Sequence, residues 1–295
     1  MRSETENVSF DKRLLEVSFQ KRPLAKFPIT RTAIKMPELK PITFVVAVNK
    51  RDVLERNFLA SPCLLGAHPH QTLFQENFSS AALAYNDAID KSVNDLIVFC
   101  HQDIFFPEDW MSDLHRALQY LDRHDPKWGV VGCSGITREG VYRGHVYSSG
   151  VGIIGVPSDP AEVQTLDEIV LIFRKSSGLR FDGELPHFHL YGADICLRAD
   201  MREMKTYAIS AFCVHNTYTN YTLPREFYEC CDYMRHKWRE SLPIQTTCIR
   251  ITRSNVPVRL RRLRESYAKY IKRRRRETTR ADDVRKVFEE VTGRM

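Results

Sequence analysis

CxxC-spaced cysteines, long apolar runs and any excess of glycine or proline are all missing from this sequence. Its eight cysteines, at 63, 100, 133, 196, 213, 230, 231 and 248, show no CxxC spacing and lie mostly inside apolar stretches. That pattern fits small buried hydrophobes in a reducing compartment better than a four-ligand zinc module, and the composition excludes a disulfide scaffold. Thirteen glycines and fourteen prolines among 295 residues exclude collagen-like and low-complexity chains. The longest apolar stretches, residues 96–100 and 151–156, are far too short to span a bilayer. The first ten residues mix charges early without an apolar core, so no secretory signal is expected and the address is cytosolic. The pairs His68/His70 and His187/His189 have no thiols beside them and read as surface or strand histidines.

What is present is an ordinary globular composition, 43% apolar and 27% charged, with a net charge of +7. The charge is not spread evenly. Residues 259–276 hold ten Arg or Lys and one Glu, a local +9, which leaves 7 − 9 = −2 for the remainder.

Hydrophobic patterning predicts an α/β fold. Residues 1–40 read as an N-terminal arm, 41–250 as the main domain and 251–295 as a basic helical tail. Residues 43–48 are β-branched and apolar without alternation, which suits a central strand covered on both faces. A short helix is expected over 51–60 and a second strand over 71–74. A longer helix over 78–92 is capped by Ser79 or Ser80, with Leu83, Ala84 and Ala88 on its buried face. Strands follow at 96–100, 128–136, 168–173 and 206–214, with helices over 109–122 and 191–204 and a hairpin-like excursion over 140–155. The strand–helix alternation implies a sheet with right-handed crossovers.

In open α/β sheets ligands bind at the carboxyl ends of the strands. The triplet His101-Gln102-Asp103 stands at such an end. Hard divalent cations take oxygen ligands, and Mg2+ prefers one or two carboxylates together with phosphate oxygens. Asp103 offers that carboxylate, although an Asp ahead of Pro107 also suits a helix cap. Mn2+ accepts imidazole as well, which admits His101 or a distant histidine.

The stretch AALAYNDAIDKSVNDLIVFCHQDIFFPEDW resembles the donor-binding half of the family 2 glycosyltransferases with the GT-A fold. There an Asn on a helix precedes an apolar strand ending in an Asp-x-Asp motif. Asn86 matches the helix Asn, and Asp103 matches the final metal-binding Asp. The His-Gln-Asp form is similar to a branch in which His replaces the first acid. Residues 130–135, 166–168, 178–182 and 188–199 also resemble family segments, so the likeness runs from about residue 42 to 240. It implies a GT-A-like, Rossmann-type mixed, mainly parallel sheet flanked by helices, and inverting sugar transfer from a nucleotide-diphosphate donor with Mg2+ or Mn2+. It further implies metal ligation by Asp103 and His215, and donor contacts from Asn49, Asp52, Asn86, His101, Gln102 and Asp103. Asp194 is the implied base, with Asp167 competing for an acceptor-side or donor-sugar role. A first-turn Asp beside the positive end of a helix also reads as simple helix stabilisation, and Asp167 as a strand-end turn residue. Many relatives carry an acidic pair where Gly192-Ala193 precede Asp194 here.

In the tail, Leu260, Leu263, Tyr267, Tyr270 and Ile271 recur at helical spacing among arginines and lysines. A basic amphipathic helix of this kind suits an anionic membrane surface, which would place the protein at the inner face of a membrane with a glycan or lipid-linked acceptor. Nucleic acid and a protein partner rank below, because no nucleic-acid module is recognisable. Two other functions compete: a non-catalytic, degenerate transferase held at membrane or RNA, and a sugar-nucleotide nucleotidyltransferase. The latter needs a glycine-rich loop after the first strand, and residues 49–52 do not supply one.

Overall fold

The computed structural model describes residues 40–65, 70–218, 223–271 and 280–293. The expected arm, apart from Lys40, therefore lies outside the described residues, as do His68 and the basic run 272–276.

In chain order the elements are β1 (Ile42–Ala47), α1 (Arg51–Arg56), β2 (Gln71–Gln75), α2 (Ala81–Lys91), β3 (Leu96–His101), β4 (Ile104–Phe105), α3 (Trp110–His124), β5 (Val130–Gly132) and β6 (Ser134–Ile136). Next come β7 (Tyr142–Ser148), β8 (Gly152–Gly155), β9 (Ala161–Glu162), β10 (Thr165–Leu166), β11 (Val170–Arg174), α4 (Tyr191–Asp200), β12 (Thr206–Ala208) and β13 (Cys213–His215). The chain continues through α5 (Arg225–Lys237), β14 (Ile244–Gln245), β15 (Arg250–Ile251), α6 (Val256–Ile271) and α7 (Val284–Thr292).

The main sheet has the order β2-β1-β3-β11-β5-β12-β9. Five of its seven strands point the same way; β11 runs antiparallel between β3 and β5, and β9 runs antiparallel to β12. The α/β class with a mixed, mainly parallel sheet and flanking helices agrees with the sequence-based expectation. A second sheet, β10-β6-β7-β13-β4, carries β8 on β7.

Strand alternation explains the layering. Ile42, Phe44 and Val46 of β1, Val98 and Cys100 of β3, and Val170 and Ile172 of β11 face one core with Trp110, Leu114 and Leu121 of α3. Val45, Ile97, Phe99, Leu171 and Phe173 face the other, with Tyr85 of α2, Ile195 of α4 and Met234 of α5. Side chains two residues apart share a face, so strands apolar at every position must be covered on both sides.

Several expected elements are corrected. The helix after β1 stops at Arg56, because Asn57 donates its side-chain Nδ2 to the Val53 carbonyl at 2.8 Å, and a 3-10 turn follows over Phe58–Ala60. The expected strand over 128–136 is two strands in different sheets, divided at Cys133, whose carbonyl accepts from the His145 N–H at 2.9 Å. The expected strand over 206–214 likewise divides into β12 and β13. Ser80 does cap α2, accepting from the Leu83 N–H at 3.3 Å, yet Leu83 itself is exposed. The hairpin expected over 140–155 is present as β7 and β8.

Candidate metal and donor site

β3 leaves the main sheet at His101, turns through Gln102 and Asp103, and enters the second sheet as β4. β13 lies beside β4, with His215 opposite Ile104, and beside β7, with His215 opposite Ser148. This change of sheet is what gathers residues that are distant in sequence. The Asp103 carbonyl accepts from the Asn216 N–H at 2.9 Å, which locks the turn against β13.

The side chains of His101, Asp103 and His215 converge so that one donor atom from each lies within 4.8 Å of the others. His215 Nε2 is 3.3 Å from Asp103 Oδ1, His101 Nδ1 is 3.9 Å from the same oxygen, and the two imidazoles approach to 3.4 Å. The outer partners are placed as for metal-binding imidazoles: His215 Nδ1 lies 3.1 Å from Ser148 Oγ, and His101 Nε2 lies 3.2 Å from the Tyr191 hydroxyl. The second Asp103 oxygen, Oδ2, accepts from Arg280 Nη2 at 2.8 Å.

Electrostatics agree with that donor set. Burial alone would raise the Asp103 carboxyl, but His215, His101 and Arg280 together hold it well below the ordinary carboxylate range. Burial, and then the neighbouring His215, push His101 down to about 4, so its ring is neutral and free to act as a ligand near neutral pH. Two imidazoles and one carboxylate form a donor set for a divalent cation.

The remaining expected site residues divide. Gln102 and Asn49 meet at the ends of β3 and β1: Gln102 Oε1 accepts from the Asn49 and Lys50 N–H groups at 3.1 and 3.0 Å. Asp52 is exposed on α1, 3.7 Å from Arg56. Asn86 spends its amide on the loop after β11, donating to the Phe181 carbonyl at 2.9 Å and accepting from the Phe181 N–H at 3.0 Å. Asp167 is half-buried and accepts from the Ile169 N–H and the Thr247 hydroxyl. Asp194 does not join the cluster. Its side chain is 1% exposed and is held by Lys237 Nζ and by Trp238 Nε1, the latter at 2.7 Å. Burial raises its pKa against the opposing effect of Lys237.

Two residues of interest were not singled out from sequence. Glu168 is half-buried and follows Asp167 directly. Burial and then the Asp167 charge push its carboxyl up to about 8, against hydrogen bonds from the Gly192 and Leu190 backbone. Gly192 makes room for it, since a Cβ there would lie 3.0 Å from Glu168 Cγ. The Glu168 carbonyl also accepts from the Tyr191 hydroxyl at 3.4 Å, which links this carboxylate's backbone to His101 through one side chain. The only sequence signal was the adjacency of two acids. Arg280 reaches Asp103 across 177 residues and stacks 4.9 Å over Tyr218, and nothing in the local sequence marks it.

No protein-family model matches the chain. Among curated proteins it is similar to "ATP synthase subunits region ORF 6" of Fuscovulum blasticum, 29% identical over 156 residues, which is 50% of this chain and 61% of that protein. The chain therefore spans about three-fifths of that relative's length. Among solved structures it is similar to the mannosyltransferase PcManGT from Pyrobaculum calidifontis in complex with GDP-Man and Mn2+, with a TM-score of 0.43, 11% identity, and coverage of 68% of this chain and 64% of that one. The corresponding values are 0.45, 10%, 78% and 55% for GalNAc-T7 with UDP, GalNAc and Mn2+. For S. aureus TarS in complex with UDP-GlcNAc they are 0.42, 14%, 67% and 66%.

Proposed function

We propose that this protein is a metal-dependent, inverting glycosyltransferase of GT-A type that takes its sugar from a nucleotide-diphosphate donor. The observation that carries the reading is the meeting of His101, Asp103 and His215 where β3 passes from one sheet to the other. These three residues would hold Mn2+ or Mg2+. When bound there, the cation supplies charge neutralisation for the diphosphate that leaves the anomeric carbon.

The protein's own groups supply the rest. Asn49 and Gln102, braced against each other at the ends of β1 and β3, offer amide contacts to the nucleotide, and Asp52 lies on the following helix. Ser148 and Tyr191 fix the two imidazole rings, so their orientation is set before any ligand arrives. The acceptor hydroxyl must lose a proton as it attacks, and a base works best with a pKa near the operating pH. The Asp167–Glu168 pair meets that requirement. Glu168 has no cationic partner among the described residues and titrates near 8, whereas Asp194 is occupied by Lys237 and Trp238. Asp167 supplies the neighbouring charge that helps to keep Glu168 basic.

The direct test is thermal stabilisation by a panel of nucleoside diphosphates with and without Mn2+, followed by metal-dependent hydrolysis of the matching nucleotide sugar. One nucleotide should stabilise the protein only with metal, by an amount that grows with concentration over its Kd. Asp103→Ala should abolish both the stabilisation and the hydrolysis. A panel in which metal changes nothing would reject the reading and leave a non-catalytic binding protein in its place.

A further inference from the structure

Among the described residues, α6 packs on the body through the face that carries Val258 and Glu265. Val258 is buried, and the Glu265 carboxylate accepts from the Leu223 N–H at 3.1 Å and the Tyr228 hydroxyl at 2.7 Å. Arg261 pairs with Glu265 and donates to the Cys248 carbonyl, while the Arg262 guanidinium sits 5.5 Å from the Tyr228 ring. The opposite face is different. Val256, Leu260, Leu263 and Tyr267 follow a spacing of four, three and four, which aligns them on one stripe. All four point outward, exposed to 58, 47, 66 and 67%. Arg259 flanks the stripe and is exposed as well. In sequence, Lys269 and the run 272–276 (KRRRR) extend the same charge.

We propose that α6 is a docking helix that lies flat on an anionic lipid surface. The inference is independent of the metal site. An apolar stripe bordered by arginines matches the boundary between acyl chains and phosphate headgroups, with the long basic side chains reaching sideways into the headgroups. Each ingredient alone would suit other partners. Single-stranded RNA would satisfy the arginines but gives two leucines and a valine nothing apolar to enter, and the charge near the stripe is of one sign. Outside residues 259–276 the chain sums to 7 − 9 = −2, so its densest positive charge begins on this helix.

The test is co-sedimentation of the full chain with phosphatidylcholine vesicles and with vesicles containing about a third phosphatidylglycerol. Binding should require the anionic lipid and weaken as salt rises. Leu260→Ser with Leu263→Ser should weaken it by about tenfold or more, and the fold should persist, because both side chains are already exposed. In a Tyr267→Trp variant, emission should move to the blue when anionic vesicles are added. The proposal is overturned by equal binding to neutral vesicles, by no effect of the double serine variant, or by binding without a blue change at position 267. A mixed-sequence single-stranded RNA that binds more tightly than the vesicles, and equally well in the double serine variant, overturns it in favour of nucleic acid.

Discussion

Replacing Glu168 by Gln offers the sharpest examination of the acidic pair. Its carboxyl titrates near 4.5 when unfolded and near 8 in the fold, a raised pKa caused first by burial and then by Asp167. For a raised pKa the stabilising contribution is complete below the unfolded value and declines as pH rises through the folded one. The wild type should therefore lose stability between about pH 4.5 and pH 8 and level off above that. Each tenfold change in proton affinity corresponds to about 1.4 kcal/mol, so the full difference between the two states would amount to roughly 5 kcal/mol. Glu168 is only half-buried, and solvent screening brings the expected loss to about 1–3 kcal/mol. Gln keeps the shape, accepts the same Gly192 and Leu190 N–H groups, and does not titrate. Urea unfolding of both proteins at several pH values should show the variant gaining on the wild type across that window by this amount. If Glu168 is the base, wild-type kcat should also rise up to about pH 8 and then level, while the variant retains metal binding and loses turnover. Parallel stability curves for the two proteins would refute the account of this carboxylate.

Other expectations concern the surrounding contacts. Lys237→Met strands the buried Asp194 charge and should cost about 3–5 kcal/mol in denaturant unfolding, with Asp194→Asn in the same chain recovering part of the loss. Ser148→Ala removes the partner of His215 Nδ1 and should weaken Mn2+ binding by about 10–100-fold in titration calorimetry. Arg280→Ala frees Asp103 Oδ2 from a competing cation, so Mn2+ alone should bind more tightly in the same calorimetric titration, by about tenfold, the worth of one charge-assisted hydrogen bond.

Much of the layering was legible because strands covered on both faces are apolar at every position, as in Ile97–Val98–Phe99–Cys100. That same run pointed to Asp103, since the chain after a buried strand emerges where ligands bind. Strand polarity leaves no mark in such a pattern, so the antiparallel insertion of β11 was not visible. Nor were the divisions at Cys133 and between β12 and β13, where an apolar run continues while the chain changes sheets. Within the site, His101 and Asp103 could be named from their place after a buried strand and His215 only through the family resemblance, and their convergence depends on β4 pairing with β13. Asp194 looked available because it stands in the first turn of a helix; Lys237 and Trp238, more than 40 residues later, occupy it. The basic helix was evident from spacing, whereas the outward direction of its apolar stripe required knowing where Val258 and Glu265 dock.

The Arg280–Asp103 contact also has a consequence for the order in which the protein is completed. The two larger sheets, the imidazole pair and the core helix α5 all precede residue 238, so a nascent chain can finish this scaffold with one carboxylate oxygen still bare. The guanidinium that covers it emerges from the ribosome last among these groups, fastened by the Asn216–Ala281 amide exchange and by Val284 of α7, which is buried with Phe105 and Val214. Cutting the chain ahead of Arg280 should therefore leave a folded sheet whose cation affinity is no longer governed by its own C-terminal segment.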